Sequence, residues 1–123
     1  MVEKKNMNIH EIMSSPVVVT RKGSRLKHTR DLFARKGINA VPVLAEDGVI
    51  QGIISAADVA KSHNDETLVE EIMTDKVHVV MKNNRVQDAA KTMLKHGVHH
   101  LVVMEEGKVV GMVSSLDIIK HLI

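Results

Sequence analysis

Residues 52–58 read Gly-Ile-Ile-Ser-Ala-Ala-Asp, and residues 111–117 read Gly-Met-Val-Ser-Ser-Leu-Asp. In each stretch, the glycine and the apolar pair are typical of a strand end. The serine and aspartate that follow have the spacing of an N-cap residue and its N3 partner. Aspartate is shorter than the glutamate usual at N3, so its carboxylate can instead accept hydrogen bonds from ribose hydroxyls. The serine hydroxyl and nearby helix N–H groups suit a phosphate. A helix cap and a ribose-phosphate site both stay open.

The two stretches belong to an internal repeat with a period of about 60 residues. The repeat covers nearly the whole chain, with one residue missing from the second copy before its last third. Matched positions, first copy before second, are Ile12-Met13 with Ile72-Met73, Lys22 with Lys82, Gly37 with Gly97, and Gly48 with Gly107. We therefore predict two domains, residues 8–62 and 66–123, which bury one face against each other.

Each copy has the same predicted order of elements, β-α-β-β-α. A β-branched segment comes first, and an amphipathic helix follows it. Gly37 and Gly97 stand where that helix ends, at a position that needs a positive φ. Asn84 is predicted to cap the helix of the second copy, with Gln87 reaching back to it. Two short strands and a final helix complete the copy, so the fold class is mixed α+β.

Composition excludes several classes of protein. The 123 residues are 44% hydrophobic and 26% charged, which is typical of a globular chain. Cysteine is absent, so disulfide frameworks and cysteine nucleophiles are excluded. The apolar runs are too short to cross a bilayer, and no secretory signal is visible at the N-terminus. We expect a soluble cytoplasmic protein without membrane contact.

The net charge of +2 identifies no polyanionic partner. Its excess comes from the basic stretch Arg21–Lys36, in which Asp31 is the one acidic residue. Such a stretch is either a solvated helix face or a weak nucleic-acid site, and we favour the solvated face. Phe33 is the one aromatic residue, so the chain has no platform for stacking bases.

The residues predict neither a metal site nor catalysis. Histidines are densest at His96-Gly97-Val98-His99-His100. Because Gly97 is predicted to end the helix, no pair of histidines one helical turn apart survives, and we favour phosphate-contacting or exposed imidazoles over metal ligands. No nucleophile elbow, Walker loop or dinucleotide fingerprint is present. We therefore predict a protein that is not an enzyme, has no catalytic residues and needs no cofactor.

The doubled order of an Ile-Met opening, amphipathic helix, glycine, short apolar strand and Gly-h-h-Ser-x-x-Asp resembles a tandem pair of cystathionine-β-synthase (CBS) domains, a Bateman module. The resemblance spans about residues 8–123 and implies a stand-alone CBS-pair protein. Its two repeats would pack as an intramolecular pseudo-two-fold pair. It also implies a regulatory module that binds AMP, ADP, ATP or S-adenosylmethionine in two clefts between the halves. Such a module signals energy or metabolite state to a partner protein, whose identity stays unknown.

The resemblance assigns the site residues. Asp58 and Asp117 would each hold ribose hydroxyls, with Ser55 and Ser114 near ribose or phosphate. The remaining residues come from the first strand of the opposite repeat and from the loop that enters the second strand. Those placed with Asp58 are Lys76, Val77, His78, His99 and His100. Those placed with Asp117 are Pro16, Val17, Val18, Asn39, Ala40 and Pro42.

The resemblance also implies a homodimer of two modules joined through their helical faces. The alternative function is an interaction scaffold that dimerises and binds no small ligand. The second alternative is weak nucleic-acid binding through Arg21–Lys36.

Overall fold

The computed structural model describes residues 7–15 and 17–123. The chain divides into two compact units. The first unit is Val18–Val77, and the second unit combines the residues up to Val17 with His78–Ile123. Each unit has its own three-stranded sheet and its own helices, which confirms the mixed α+β class.

In the first unit, a helix connects two parallel strands and a third strand runs antiparallel to them. β1 pairs with β2 in parallel, and β2 pairs with β3 antiparallel. The elements are β1 (Thr20–Arg21), α1 (Leu26–Lys36), β2 (Ala40–Leu44), β3 (Ile50–Ser55), α2 (Ala56–Ala60) and α3 (Val69–Ile72).

The second unit repeats this arrangement. β4 pairs with β5 in parallel, β5 pairs with β6 antiparallel, and a 3₁₀ turn at Ile9–Glu11 joins the unit from the start of the chain. The elements are β4 (Val79–Met81), α4 (Val86–His96), β5 (His100–Glu105), β6 (Lys108–Ser114) and α5 (Ser115–Leu122). The predicted order β-α-β-β-α is therefore confirmed in both copies.

The predicted helix ends are confirmed, but the predicted cap of α4 is wrong. Gly37 and Gly97 both have φ of 64°, the left-handed conformation that stops a helix. The N-cap of α4 is Arg85, whose N–H donates to Asp88 Oδ2 at 3.1 Å. Asn84 instead closes the preceding turn, where its Oδ1 accepts the Met81 N–H at 2.8 Å.

Each unit is completed by the short turn that opens the other sequence copy. Ile9 is fully buried in the core of the second unit, and its repeat equivalent Val69 is fully buried in the core of the first. Backbone bridges join Ser14 to Met112, and Thr74 to Ile53. The compact units and the sequence repeats therefore divide the chain at different residues.

Candidate functional site

In the first unit, the Ser55–Asp58 motif forms at the junction of β3 and α2. Ser55 Oγ accepts the Asp58 N–H at 3.2 Å, and Asp58 Oδ2 accepts the Ser55 N–H at 2.9 Å. This is the reciprocal cap expected from the spacing. Both residues are half-buried, and among the described residues Asp58 Oδ1 accepts no hydrogen bond.

The second unit has the same geometry where β6 meets α5. Ser114 Oγ accepts the Asp117 N–H at 3.1 Å, and Asp117 Oδ2 accepts the Ser114 N–H at 2.8 Å. A carboxylate offers about four lone-pair positions, so this one bond leaves acceptor capacity for a ligand. The cap and the ribose interpretations are therefore compatible at both motifs.

The helix N–H groups beside the serines are largely occupied. The N–H of Ala56 donates to Asn39 O at 2.8 Å, and that of Ser115 donates to His99 O at 2.9 Å. The aspartate N–H groups also donate to the serine hydroxyls. The first turn of each helix therefore has few free N–H groups left to bind a phosphate. Phosphate recognition at these motifs would therefore depend on side chains.

The loop that enters the second strand lies directly beside each motif. Ala40 pairs with Ser55 across β2 and β3, and His100 pairs with Ser114 across β5 and β6. Ala40 and Pro42 are buried, whereas Asn39 and His99 are exposed. The structure therefore brings Asn39 and Ala40 to the Ser55–Asp58 motif, and His99 and His100 to the Ser114–Asp117 motif. The assignment of His99 and His100 to Asp58 stays a prediction.

The remaining predicted contacts come from the segments before β1 and β4. Lys76 is exposed, and Val77 is half-buried in the first unit together with Val18. Val17 belongs to the second unit and is half-buried, and Pro16 lies outside the described residues. Their roles toward a ligand stay predictions.

Histidines gather at the Asp117 end of the second unit. The rings of His78 and His96 stack with centroids 4.1 Å apart and planes 24° apart. The His78 carbonyl accepts the Val102 N–H at 3.0 Å, which fixes His78 beside β5. Sequence reasoning did not include His96 in the site. The sequence signal that could have identified His96 is its position one residue before Gly97, which ends the helix.

Burial lowers the pKa of the His100 imidazole from its ordinary value of 6.5. The charge of His99 lowers that pKa further, and the Asp117 carboxylate acts in the opposite direction. His100 is therefore neutral at neutral pH and sits in the electrostatic field of Asp117.

Across residues 7–15 and 17–123, no three histidine, aspartate or glutamate side chains converge to hold a metal ion. No helix within these residues is long and apolar enough to cross a membrane.

A groove of about 840 Å³ lies at the far end of β2 from Ser55. Its walls bond to each other, since Arg21 donates to Ala45 O at 3.0 Å and Lys22 lies 3.8 Å from Glu70. Residues of both charge signs line it.

Part of the basic stretch is paired with acidic residues from far along the chain. Arg30 Nε lies 2.9 Å from Asp65 Oδ1, and Arg25 Nε lies 3.4 Å from Glu66 Oε2. These pairs lower the local positive potential without cancelling it, and the nucleic-acid alternative stays a prediction.

The CBS domain family model matches the chain twice, at residues 9–64 and 69–123. The chain belongs to the CBS domain family. The two matches cover both copies of the Gly-h-h-Ser-x-x-Asp motif, so this protein contains a tandem CBS pair. CBS pairs are regulatory modules.

Two proteins of Methanocaldococcus jannaschii are similar along almost the whole chain. The uncharacterized protein MJ1426 is 31% identical, over 95% of this chain and 92% of its own length. The uncharacterized protein MJ1225 is 26% identical over 95% of this chain but only 43% of its own length. A homoserine O-acetyltransferase of Methanosarcina acetivorans is 25% identical over 89% of this chain and 21% of its own length. The CBS pair thus spans less than half of some of its relatives.

Solved structures share the fold. The CBS domain pair of protein MJ0100, in complex with 5′-methylthioadenosine and S-adenosyl-L-methionine, superposes with a TM-score of 0.88 and 27% identity, covering 95% of this chain and 96% of that one. The CBS-domain containing protein ATU1752 from Agrobacterium tumefaciens has a TM-score of 0.83 and 22% identity, covering 94% and 93%. The second likeness shows the fold alone.

Proposed function

We propose that this CBS pair is a non-enzymatic regulatory module that binds an adenosine-containing ligand and transmits its presence to a partner protein. AMP, ADP, ATP and S-adenosylmethionine are the ligands to test. The MJ0100 pair, which was solved with two adenosine derivatives, supports this ligand class. The regulated partner and any activity of a longer protein belong to the same proposal.

The single observation that carries the proposal is the identical geometry of the two motifs. Two separate units place a half-buried aspartate at the start of a helix and hold it through one carboxylate oxygen. A cap alone would tolerate many residue types at N3, whereas ribose recognition needs a carboxylate that accepts from two vicinal hydroxyls. In this proposal, Asp58 and Asp117 each accept from ribose hydroxyls.

The other contacts follow from position. Ser55 and Ser114 contact ribose or phosphate, and the segments before β1 and β4 contact adenine through their backbones. The strand-entry loops line the ligand. The proposed set beyond the two motifs is Pro16, Val17, Val18, Asn39, Ala40, Pro42, Lys76, Val77, His78, His99 and His100.

The test uses a neutral isostere that keeps the cap. Asp58→Asn and Asp117→Asn retain a carbonyl oxygen for the serine N–H but cannot accept from two hydroxyls with a full charge. We expect each to lower affinity at its own site about tenfold or more, because a bond to a charged acceptor contributes about 1.5–3 kcal/mol. Calorimetry with the four ligands measures this, and Asp31→Asn on the exposed face of α1 is the matched control. If no ligand binds or raises the melting temperature at millimolar concentration, the proposal fails and the scaffold alternative replaces it.

We further propose that two copies of the chain associate through α4 and α5. These helices expose large apolar side chains that a monomer would leave in water, namely Leu94, Leu116, Ile119, Leu122 and Ile123. The equivalent first-copy positions of three of them carry the small Ala34, Ala57 and Ala60. The apolar face thus belongs to the second unit and fits a self-complementary contact.

Light scattering of the Leu116→Lys, Ile119→Lys double variant tests this association. We expect the variant to be a monomer and the parent chain a dimer. Val49→Lys is the control, since Val49 is also an exposed apolar residue but lies in the first unit. A parent chain that is monomeric at micromolar concentration would contradict the proposal.

A further inference from the structure

The two motif sites differ at one position next to the aspartate. Ala40 pairs across the strands with Ser55, and His100 pairs with Ser114. Directly paired residues on antiparallel strands project their side chains to the same face of the sheet. The methyl group of Ala40 therefore lies beside the first motif, whereas the imidazole of His100 lies beside the second.

The His100 imidazole lies within the electrostatic reach of Asp117. Ser114 joins the two, because its backbone pairs with His100 and its Oγ accepts the Asp117 N–H at 3.1 Å. Asp117 favours the protonated imidazole, while burial and His99 oppose it. A proton taken up on mild acidification thus places a cation beside the carboxylate.

Among the described residues, the other ionisable groups placed near His100 are basic. His99 precedes it on the chain, His78 lies just before β4 and beside β5, and His96 at the end of α4 stacks on His78. From β6 and α5 the facing groups are Ser114 and Asp117. The ion pair of Lys82 and Glu105 lies at the opposite end of this sheet. Among these groups, Asp117 is the carboxylate whose charge acts on an imidazolium at position 100.

We propose that His100 makes ligand binding at Asp117 sensitive to protons, while binding at Asp58 is not. The imidazolium of His100 competes with the ribose hydroxyls for the Asp117 carboxylate, so an uncharged adenosine ligand is released from this site on mild acidification. Ala40 cannot compete at Asp58, and in this proposal His100 acts on the Asp117 carboxylate instead of on the Asp58 ligand to which the sequence assigned it. This inference rests on the proposed function and specifies how one of its two sites is regulated.

The test isolates each site. Asp58→Asn leaves the Asp117 site, and Asp117→Asn leaves the Asp58 site. The probe is 5′-methylthioadenosine, which carries no phosphate and so does not report attraction between an anion and the other histidines. We expect its affinity for the Asp58→Asn chain to fall from pH 7.5 to pH 5.5. The fall stays below about tenfold, because the pKa of His100 lies below 6.5. The affinity of the Asp117→Asn chain should change less than twofold.

His100→Gln, added to Asp58→Asn, should abolish the pH dependence, so that its affinities at pH 7.5 and pH 5.5 are equal whatever their absolute value. His100→Ala, which copies Ala40, is the second variant in case the amide disturbs packing. A pH dependence that survives both substitutions, or equal affinity at both pH values in Asp58→Asn, would overturn the inference alone. Absence of binding at pH 7.5 in both single-site chains would overturn the proposed function as well.

A second readout needs no ligand. NMR titration of the His100 ring in Asp117→Asn should give a lower pKa than in the parent chain, because the carboxylate that favours the imidazolium has been removed. An unchanged or higher pKa would show that the two side chains are not coupled and would overturn the inference.

Discussion

A side-chain carbon added at Gly111 would lie 2.6 Å from Sδ of Met13 and 2.9 Å from the backbone oxygen of Ser14. The first copy repeats this contact, since a carbon added at Gly52 would lie 2.7 Å from the Thr74 oxygen. The repeated glycine and the repeated methionine are therefore two sides of one packing contact in each unit. In each unit, this contact packs the opening turn of one sequence copy against the last strand of the other copy's sheet.

Gly111→Ala should lower the free energy of unfolding by roughly 1–3 kcal/mol, the usual cost of overpacking. The methionine side chain can move aside, but the backbone oxygen of Ser14 cannot without breaking its bridge. Urea denaturation measures the change. Gly23→Ala is the control, because no heavy atom lies within 4 Å of the added carbon there and φ is not positive. Equal stability of the two variants would refute the close contact.

Thr20→Val should stabilise the chain by about 1 kcal/mol. The Thr20 hydroxyl is buried and finds no hydrogen-bond partner among the described residues, so it carries an uncompensated desolvation cost. The second copy has the buried Val80 at the equivalent position. Thermal denaturation should show a higher midpoint. Thr92→Val should show no such gain, because the Thr92 hydroxyl donates to Asp88 O at 2.9 Å. A lower midpoint for Thr20→Val would contradict the prediction.

Arg30→Lys should destabilise the chain by about 1 kcal/mol. Arg30 Nε donates to Asp65 Oδ1 at 2.9 Å, and Arg30 Nη2 donates to the carbonyls of both Val59 and Ser62. An ammonium cannot hold this fork. The exposed Arg35 on the same helix has no such bonds among the described residues, so Arg35→Lys is the control in chemical denaturation. Equal effects would mean that the Arg30 network contributes nothing measurable.

Acid should destabilise the chain in part through His100. Because the folded state lowers the pKa of this imidazole below 6.5, the unfolded chain binds the proton more readily. The corresponding stability is fully present above pH 6.5 and is lost as pH falls through the lower folded pKa. His100→Ala should therefore lose less unfolding free energy than the parent chain between pH 7.5 and pH 5. Parallel pH profiles in urea denaturation would count against a depressed pKa.

Local features were predictable from the sequence because local chemistry fixes them. The helix-ending glycines, the order of the elements along the chain and the reciprocal caps each depend on residues within a few positions of each other. The prediction for the cap of α4 was wrong for a local reason too. The Asn84 side chain can accept a hydrogen bond either from the turn before it or from the first turn of the helix after it. In the structure, Asn84 Oδ1 accepts the Met81 N–H, and Arg85 is the N-cap residue of α4.

The sequence predicted which residues are candidates for the site, but it did not predict which of them lie next to each other. The motifs themselves identify Ser55, Asp58, Ser114 and Asp117. Only the register of β5 and β6 shows that His100 stands beside Ser114. The stack of His78 on His96 joins a strand start to a helix end and has no local signal.

The sequence by itself determined that the chain is two copies of one β-α-β-β-α unit, each ending in the same serine-aspartate cap. Tertiary structure alone decided that the Ile9 turn packs on the second sheet and the Val69 turn on the first. The physical reason is that both copies have the same local pattern of apolar residues. Each turn could therefore pack on the sheet of its own copy or on that of the other copy with the same periodicity. Burial and close contact in three dimensions choose between them. The same holds for Arg30 and Asp65, whose attraction depends on a separation in space that their distance along the chain does not encode.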